Sequence, residues 1–176
     1  IGKPQLNNII WQNDYDHTEE IAIMHALEKR SAHPLADAIV NHFKDMRLPY
    51  TNISDFKNIS GMGVQGIYDK DLYFAGNLNL IIQNNIPLSE KQKAEIDKLS
   101  SEGNSLILFA SYNRLLAIIA LNDKLKQDVA ATIKELNAMG IESYLLTGDN
   151  QKTAAIIASK AGIENVKAEV LPAGKA

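Results

Sequence analysis

A few residues of this 176-residue chain have types and spacing that could do chemistry. In "LLTGDN", residues 145–150, an apolar stretch ends and a hydroxyl, a glycine and an acid follow at once. Thr147 would offer a hydroxyl, Gly148 close approach to backbone, and Asp149 a carboxylate. With the N–H groups of a following helix these make a phosphate cradle at the carboxyl end of a strand. A plain strand-to-helix turn uses the same residue types. His33 stands directly before Pro34 in "SAHPL", and Glu28 lies five residues upstream. Pro34 suits the first position of a helix, where its missing N–H costs nothing. His33 is then either a cap or a ring held at the edge of a pocket. Glu28 could orient that ring or accept a hydrogen bond from a ligand amine. "GMGVQG" at 61–66 places Gly61 and Gly63 where backbone could meet a ligand, or where a sheet turns or bulges. It does not open a helix, so the dinucleotide fingerprint fails. Gly76 and Asn77 in "AGN" are a turn or a polar contact at a strand end. Asp123 and Lys126 in "NDKLK" are a solvated turn or a ligand-touching hinge. His17, His25 and His42 follow no metal-ligand spacing, are expected to be surface or structural, and suggest no metal site.

Elements must hold these residues in place. Hydrophobic residues make up 45% of the chain, charged residues 22%, and the net charge is -3, an ordinary globular balance with no basic excess for nucleic acid. With 0 cysteines there are no disulfides or thiolate metal sites. The longest apolar run, "LLAIIAL" at 115–121, is strand length and far short of a membrane span. The first residues have no signal-peptide layout, and both ends suggest an excised piece. Apolar periodicity predicts helices over 18–29 and 34–46, a short one over 78–84, and a charged one over 89–102 ending at Gly103. "VQGIY" and "LYFA" flanking "DKD" predict a hairpin, as do "SLILFAS" and "LLAIIAL" around "YNR". After Asn122 the order changes to a helix over 125–139, a buried strand "IESYLL", a helix over 151–161 and a strand near 166–170. That alternation is the parallel α/β type. Two units are expected, an antiparallel sheet with helices over 5–118, and part of a doubly wound unit over 1–4 and 119–176.

The order of the signals is more specific than any one of them. The chain has "GKP" at 2–4, "SAHPLADAI" at 31–39, "GMGVQG" at 61–66, "GN" at 76–77, "NDKLK" at 122–126, "TGDN" at 147–150 and "AEVLPAGK" at 168–175. This series resembles the large cytoplasmic loop of heavy-metal-transporting P-type ATPases, along almost the whole chain. The resemblance implies an α+β nucleotide-binding domain, an antiparallel sheet flanked by helices, joined to a partial α/β haloacid-dehalogenase-like phosphorylation domain. The family's phosphorylated aspartate lies in "DKTGTLT" just before a "GKP"-like segment and is missing here, so the chain alone is expected to bind ATP without turning it over. By the same resemblance His33 lines an adenine pocket with Glu28, and Gly61, Gly63, Gly76 and Asn77 pack against the nucleotide. Thr147, Gly148, Asp149 and Lys175 contact the phosphoryl group, and Asp123 and Lys126 sit near the hinge. The family usually has "SEHPL", and Ala32 here replaces that glutamate.

The chemistry so implied is transfer of phosphate from ATP to an aspartate with Mg²⁺, then hydrolysis of the acyl phosphate. It would drive a metal ion across a membrane through helices absent from this sequence, with the chain on the cytoplasmic side. The pump's actuator, transmembrane and metal-binding domains would be its partners. "AEVLP" and "GN" before an apolar pair point to copper pumps rather than zinc, cadmium or lead pumps. The rivals are a stand-alone phosphatase, which needs a nucleophile segment this chain lacks, and a non-catalytic module that binds a nucleotide or a partner.

Overall fold

The strands β5 (Ser105–Ser111) and β6 (Arg114–Asp123) form a hairpin buried on both faces. Their near-continuous apolar sequence follows from that double burial. Ile107, Phe109, Ile119 and Leu121 face one core, and Leu108, Ala110, Ile118 and Ala120 face the other. Adjacent residues point to opposite faces of a strand, so a two-sided sheet needs apolar side chains at every position. The computed structural model describes residues 4–123, 129–147 and 151–168, with only the backbone of Asp123, Lys152 and Thr153.

Four more strands complete a six-stranded antiparallel sheet: β1 (Pro4–Trp11), β2 (Ser54–Ile59), β3 (Gly63–Tyr68) and β4 (Asp71–Gly76). The order is β1-β6-β5-β4-β3-β2. Helices α1 (Thr18–Glu28) and α2 (Pro34–His42) cover one face through Ile23, Met24, Leu27, Ile39 and the following Phe43. Helices α3 (Leu78–Gln83) and α4 (Glu90–Ser101) cover the other through Leu80, Ile81, Ile96 and Leu99. Each such aliphatic side chain, fully buried, stabilises the fold by roughly 1.5–3 kcal/mol.

The local signals act as expected. Ser89 and Gln92 form a reciprocal capping box at the start of α4. Gly103, at φ 84°, ends it in the left-handed conformation that glycine adopts without strain. Asp69 and Lys70 link β3 to β4 in a two-residue turn, both at positive φ. Strand β1 has no counterpart among the sequence expectations. It pairs with β6 from Pro4↔Asp123 to Trp11↔Ala117, across a register shift between Leu6 and Asn8.

The remainder is a strand–helix–strand unit. The strands β7 (Tyr144–Leu146) and β8 (Asn165–Lys167) are parallel, joined through α6 (Gln151–Ala161), with α5 (Val129–Ala138) packed on α6. This is the parallel α/β grammar expected after Asn122. The expectation that "IESYLL" is buried is corrected: Tyr144 is 53% and Leu146 48% exposed. Among the described residues β7 pairs with β8 alone, so a strand of two-sided parallel type keeps an open side. Helix α6 approaches the end of α4, where a Cβ on Gly103 would lie 3.4 Å from Cγ2 of Ile156.

Candidate functional site

Four strand ends meet at one edge of the sheet: the end of β2, the start of β3, the end of β4 and the start of β5. The last turn of α1 and the first of α2 close over them. Between lies a small cleft of about 180 Å³, open to solvent. Leu35, Ile59, Met62 and Ile107 supply apolar walls, and Glu28, Ser31, His33 and Asn58 the polar side chains. Gly61, Gly63 and Gly76 expose backbone to it. Glu28, His33, Gly61, Gly63, Gly76 and Asn77, scattered over fifty residues of chain, line this single cleft.

His33 answers to both of its readings. It is the N-cap of α2, with extended backbone at φ -81°, ψ 136°, and its Nδ1 accepts the N–H of Leu35 at 3.2 Å. Pro34 follows at the first helical position. The His33 N–H donates to Oγ of Ser31 at 3.3 Å, which steadies the approach to the cap. The cap engages Nδ1 as an acceptor, so the neutral ring carries its proton on Nε2. The ring itself is exposed at the cleft.

Glu28 lies at the opposite extreme. It is only 3% exposed, and among the described residues its carboxyl has no ion pair and no hydrogen bond. Burial without a partner pushes its pKa up to about 7. An unpartnered polar group at the wall of a cleft is positioned to meet a ligand.

The glycines act through geometry. Gly63 and Gly76 stand opposite each other on β3 and β4. A Cβ on Gly63, at φ 145°, would fall 2.3 Å from the carbonyl oxygen of Ala75, and one on Gly76 would fall 2.2 Å from that of Met62. No side chain fits between these strands, which leaves a flat backbone floor. The Gly61, Gly63 and Gly66 run has the Gly-x-Gly-x-x-Gly spacing, but it leads into β3 and not into a helix. Asn77 works from behind the floor. Its Oδ1 accepts the N–H of Leu80 at 3.2 Å, capping α3, and its Nδ2 donates to the carbonyl of Gly61 at 2.8 Å. Asn77 therefore holds the Gly61 loop against α3 with both ends of its amide.

Sequence reasoning missed Asn58, Met62 and Ile107 as lining residues. Met62 stands between the two glycines already singled out, and Asn58 just before them, whereas Ile107 joins them only through the strand order β5-β4-β3-β2, for which no local signal exists.

Of the phosphoryl-contacting residues expected, Thr147 is described. It follows β7 directly, and its N–H donates to the carbonyl of Lys167 at 3.0 Å. Helix α6 starts at Gln151. Gly148, Asp149, Lys126 and Lys175 lie outside the described residues, as does the side chain of Asp123. The backbone of Asp123 pairs with Pro4. His17 stacks on Trp11 with ring centroids 4.0 Å apart, and His42 meets Phe43 edge-on. Among the described residues no three His, Cys, Asp or Glu side chains are grouped to hold a metal ion.

An antiparallel sheet with a cleft at its strand ends, joined to a strand–helix–strand unit in which Thr147 follows the first strand, narrows the class. The chain matches the haloacid dehalogenase-like hydrolase family over residues 2–176 and belongs to it. Over 175 residues it is 37% identical to the copper-exporting P-type ATPase of Staphylococcus epidermidis, covering 99% of this chain and 21% of that protein. The copper-exporting P-type ATPase of Staphylococcus haemolyticus is 34% identical, with the same coverage. The chain spans about a fifth of the length of these curated relatives. Its fold is similar to a crystal structure of a zinc-transporting PIB-type ATPase in the E2.Pi state, with a TM-score of 0.77, 30% identity, and coverage of 98% of this chain and 28% of that one. The N-domain of HMA6, a copper-transporting P-type ATPase, shares the fold at a TM-score of 0.53 and 18% identity, over 68% of this chain and 99% of its own. The motif series thus resembles the family that these relatives represent.

Proposed function

We propose that this chain is the nucleotide-binding unit, with part of the phosphorylation unit, of a heavy-metal-transporting P-type ATPase that faces the cytoplasm. The observation that carries the reading is the cleft: a buried unpartnered carboxyl, an imidazole of fixed tautomer and a side-chain-free backbone floor on one apolar pocket. That set suits a flat heteroaromatic ring with polar edge atoms. Adenine of ATP would lie on the Gly63–Gly76 floor, with Glu28 at its polar edge and the His33 ring beside it. Thr147, Gly148, Asp149 and Lys175 would receive the transferred phosphoryl group, and positioning with charge stabilisation would supply most of the rate. Mg²⁺ would offset phosphate charge when bound. Asp123 and Lys126 would lie where β6 leaves the sheet. The actuator, transmembrane and metal-binding domains of the same pump would be its partners.

Monovalent copper is the proposed cargo, supported by the copper-exporting relatives. A zinc cargo is the second reading, favoured by the likeness to the zinc-transporting structure. Titration of the chain with ATP, AMP and GTP, followed through amide NMR shifts, tests the site. Shifts at Glu28, His33, Gly61 and Gly63, with ATP preferred over GTP, are the expected result. An unmoved cleft at about millimolar ATP, a weak affinity worth only about 4 kcal/mol, would remove the nucleotide reading.

A further inference from the structure

The carboxyl of Glu28 has an unusual setting even for a ligand-binding wall. Leu35, Ile59 and Ile107 surround the cleft it faces. The strands β2, β3, β4 and β5 contribute Asn58, Gly63, Gly76, Leu106 and Ile107 there, none of them charged. From α2 the one titratable group is the His33 ring, with Nδ1 engaged by the cap. On α1 itself His25 is half-buried one turn back and Lys29 is exposed. Arg30 turns away to the carbonyl of Ile53 at 3.0 Å and to the ring of Phe56 at 4.1 Å. No cation and no hydrogen-bond donor among the described residues therefore supports a negative charge at Glu28. A carboxylate in such a place loses much of its hydration without compensation, which favours the neutral acid.

We propose that Glu28 meets the nucleobase as the neutral acid, so that its ionisation sets the preference of the cleft between adenine and guanine. This rests on the reading of the cleft as a nucleotide site. A neutral carboxyl has one acceptor and one donor. Its C=O accepts from the exocyclic amine of adenine while its O–H donates to the ring N1. The ionised group has acceptors only. It can still take the amine hydrogen, but it then faces the lone pair of N1. Guanine presents N1–H and its 2-amine as two donors side by side, one position along that edge, and these suit the ionised group, while its O6 and N1–H can meet the neutral acid with donor and acceptor exchanged. Loss of the proton therefore weakens adenine while guanine keeps a matching edge, and the preference shifts towards guanine. Burial that places the carboxyl's pKa at about 7 puts this change near neutral pH.

The test uses adenosine and guanosine, which carry no phosphate to titrate, with the 176-residue chain. Amide shifts give their affinities from about pH 6 to about pH 8, and the carboxyl carbon of Glu28 is titrated with and without adenosine. Adenosine affinity is expected to fall about tenfold over that range, following the neutral fraction, while guanosine affinity holds or rises. By reciprocity, adenosine must raise the midpoint of the Glu28 titration. Glu28→Gln, whose amide keeps one donor and one acceptor, should give adenosine binding that is flat in pH. Adenosine affinity unchanged from about pH 6 to about pH 8 would overturn the proposal, as would a Glu28 midpoint that falls on binding. A pH slope that survives in Glu28→Gln would overturn it too and assign the slope to His33. The carboxyl titration needs no variant, so a misfolded Glu28→Gln leaves the test intact. If both nucleosides bind without a pH slope, this proposal alone fails. If neither shifts the cleft at any pH, the nucleotide reading fails and the proposal with it.

Discussion

Two residues of the cleft couple binding to folding in opposite ways. His33 uses one nitrogen to cap α2 and leaves its ring at the cleft. Asparagine is a good N-cap and has no ring. His33→Asn should therefore keep the fold within a few tenths of a kcal/mol, while His33→Ala should lose about 1 kcal/mol with the cap. Both should weaken nucleotide binding. Urea denaturation beside ATP titration separates the two roles, and equal stability of the two variants would show that the cap contributes nothing. Glu28 works against the fold as pH rises. Its carboxyl is raised from 4.5 to about 7 by burial. Below the lower value both folded and unfolded chains hold the proton. Between the two, the unfolded chain releases it first and binds fewer protons, so stability falls with pH, and above about pH 7 the loss is complete at about 3 kcal/mol. Glu28→Gln should remove that slope. The difference between wild-type and variant unfolding free energies, measured from acid to neutral pH, isolates it from other carboxylates. At this scale the sequence shows His33 through its proline neighbour and Gly61 and Gly63 through their spacing. It does not show that Glu28 is unpartnered, because that depends on strands contributing no charge.

Elements were legible where local chemistry decides them and obscure where pairing does. The β3–β4 hairpin is plain in "VQGIYDKDLYFA", since two alternating runs flank a polar pair. Its turn is not optimal. Asp69 and Lys70 sit at φ 45° and 74°, a conformation that costs a lysine more than a glycine. Lys70→Gly should raise stability by about 0.5–1 kcal/mol without touching the cleft, seen as a higher urea midpoint at unchanged slope. A lower midpoint would mean that the lysine side chain makes a contact worth more than the strain. Strand β1 shows the opposite case. In "PQLNNIIW" the apolar residues fall at 6, 9, 10 and 11, with no period of two. The register shift between Leu6 and Asn8 accounts for this, because it breaks the alternation that marks a strand. Strand β7 was legible as a strand, but its burial was not, since burial depends on which neighbours flank it.

For the whole molecule, the question is where the nucleotide-binding unit ends. Residue 118 is the boundary expected from the sequence, but β6 runs on to Asp123. Ile119, Ala120 and Leu121 beyond it are 0% exposed and belong to the two cores. Pro4 and Gln5 pair with Asp123 and Asn122 across the same strands. Every residue lining the cleft falls between Glu28 and Ile107. We therefore propose the unit as residues 4–123. A chain cut to 4–123 should unfold in one cooperative transition and bind ATP as the 176-residue chain does. A chain cut to 5–118 loses Ile119 and Leu121 from the core facing α1 and α2, the face that carries Glu28 and His33. Two lost aliphatic side chains remove about 3–6 kcal/mol at the usual value for each, a large part of a domain's whole stability. It should unfold at much lower urea and bind ATP weakly, because α1 and α2 are held by that core. Equal stability of the two shortened chains would mean that the end of β6 belongs with the strand–helix–strand unit. The paired strands β1 and β6 would then be a connection rather than part of the sheet that builds the cleft.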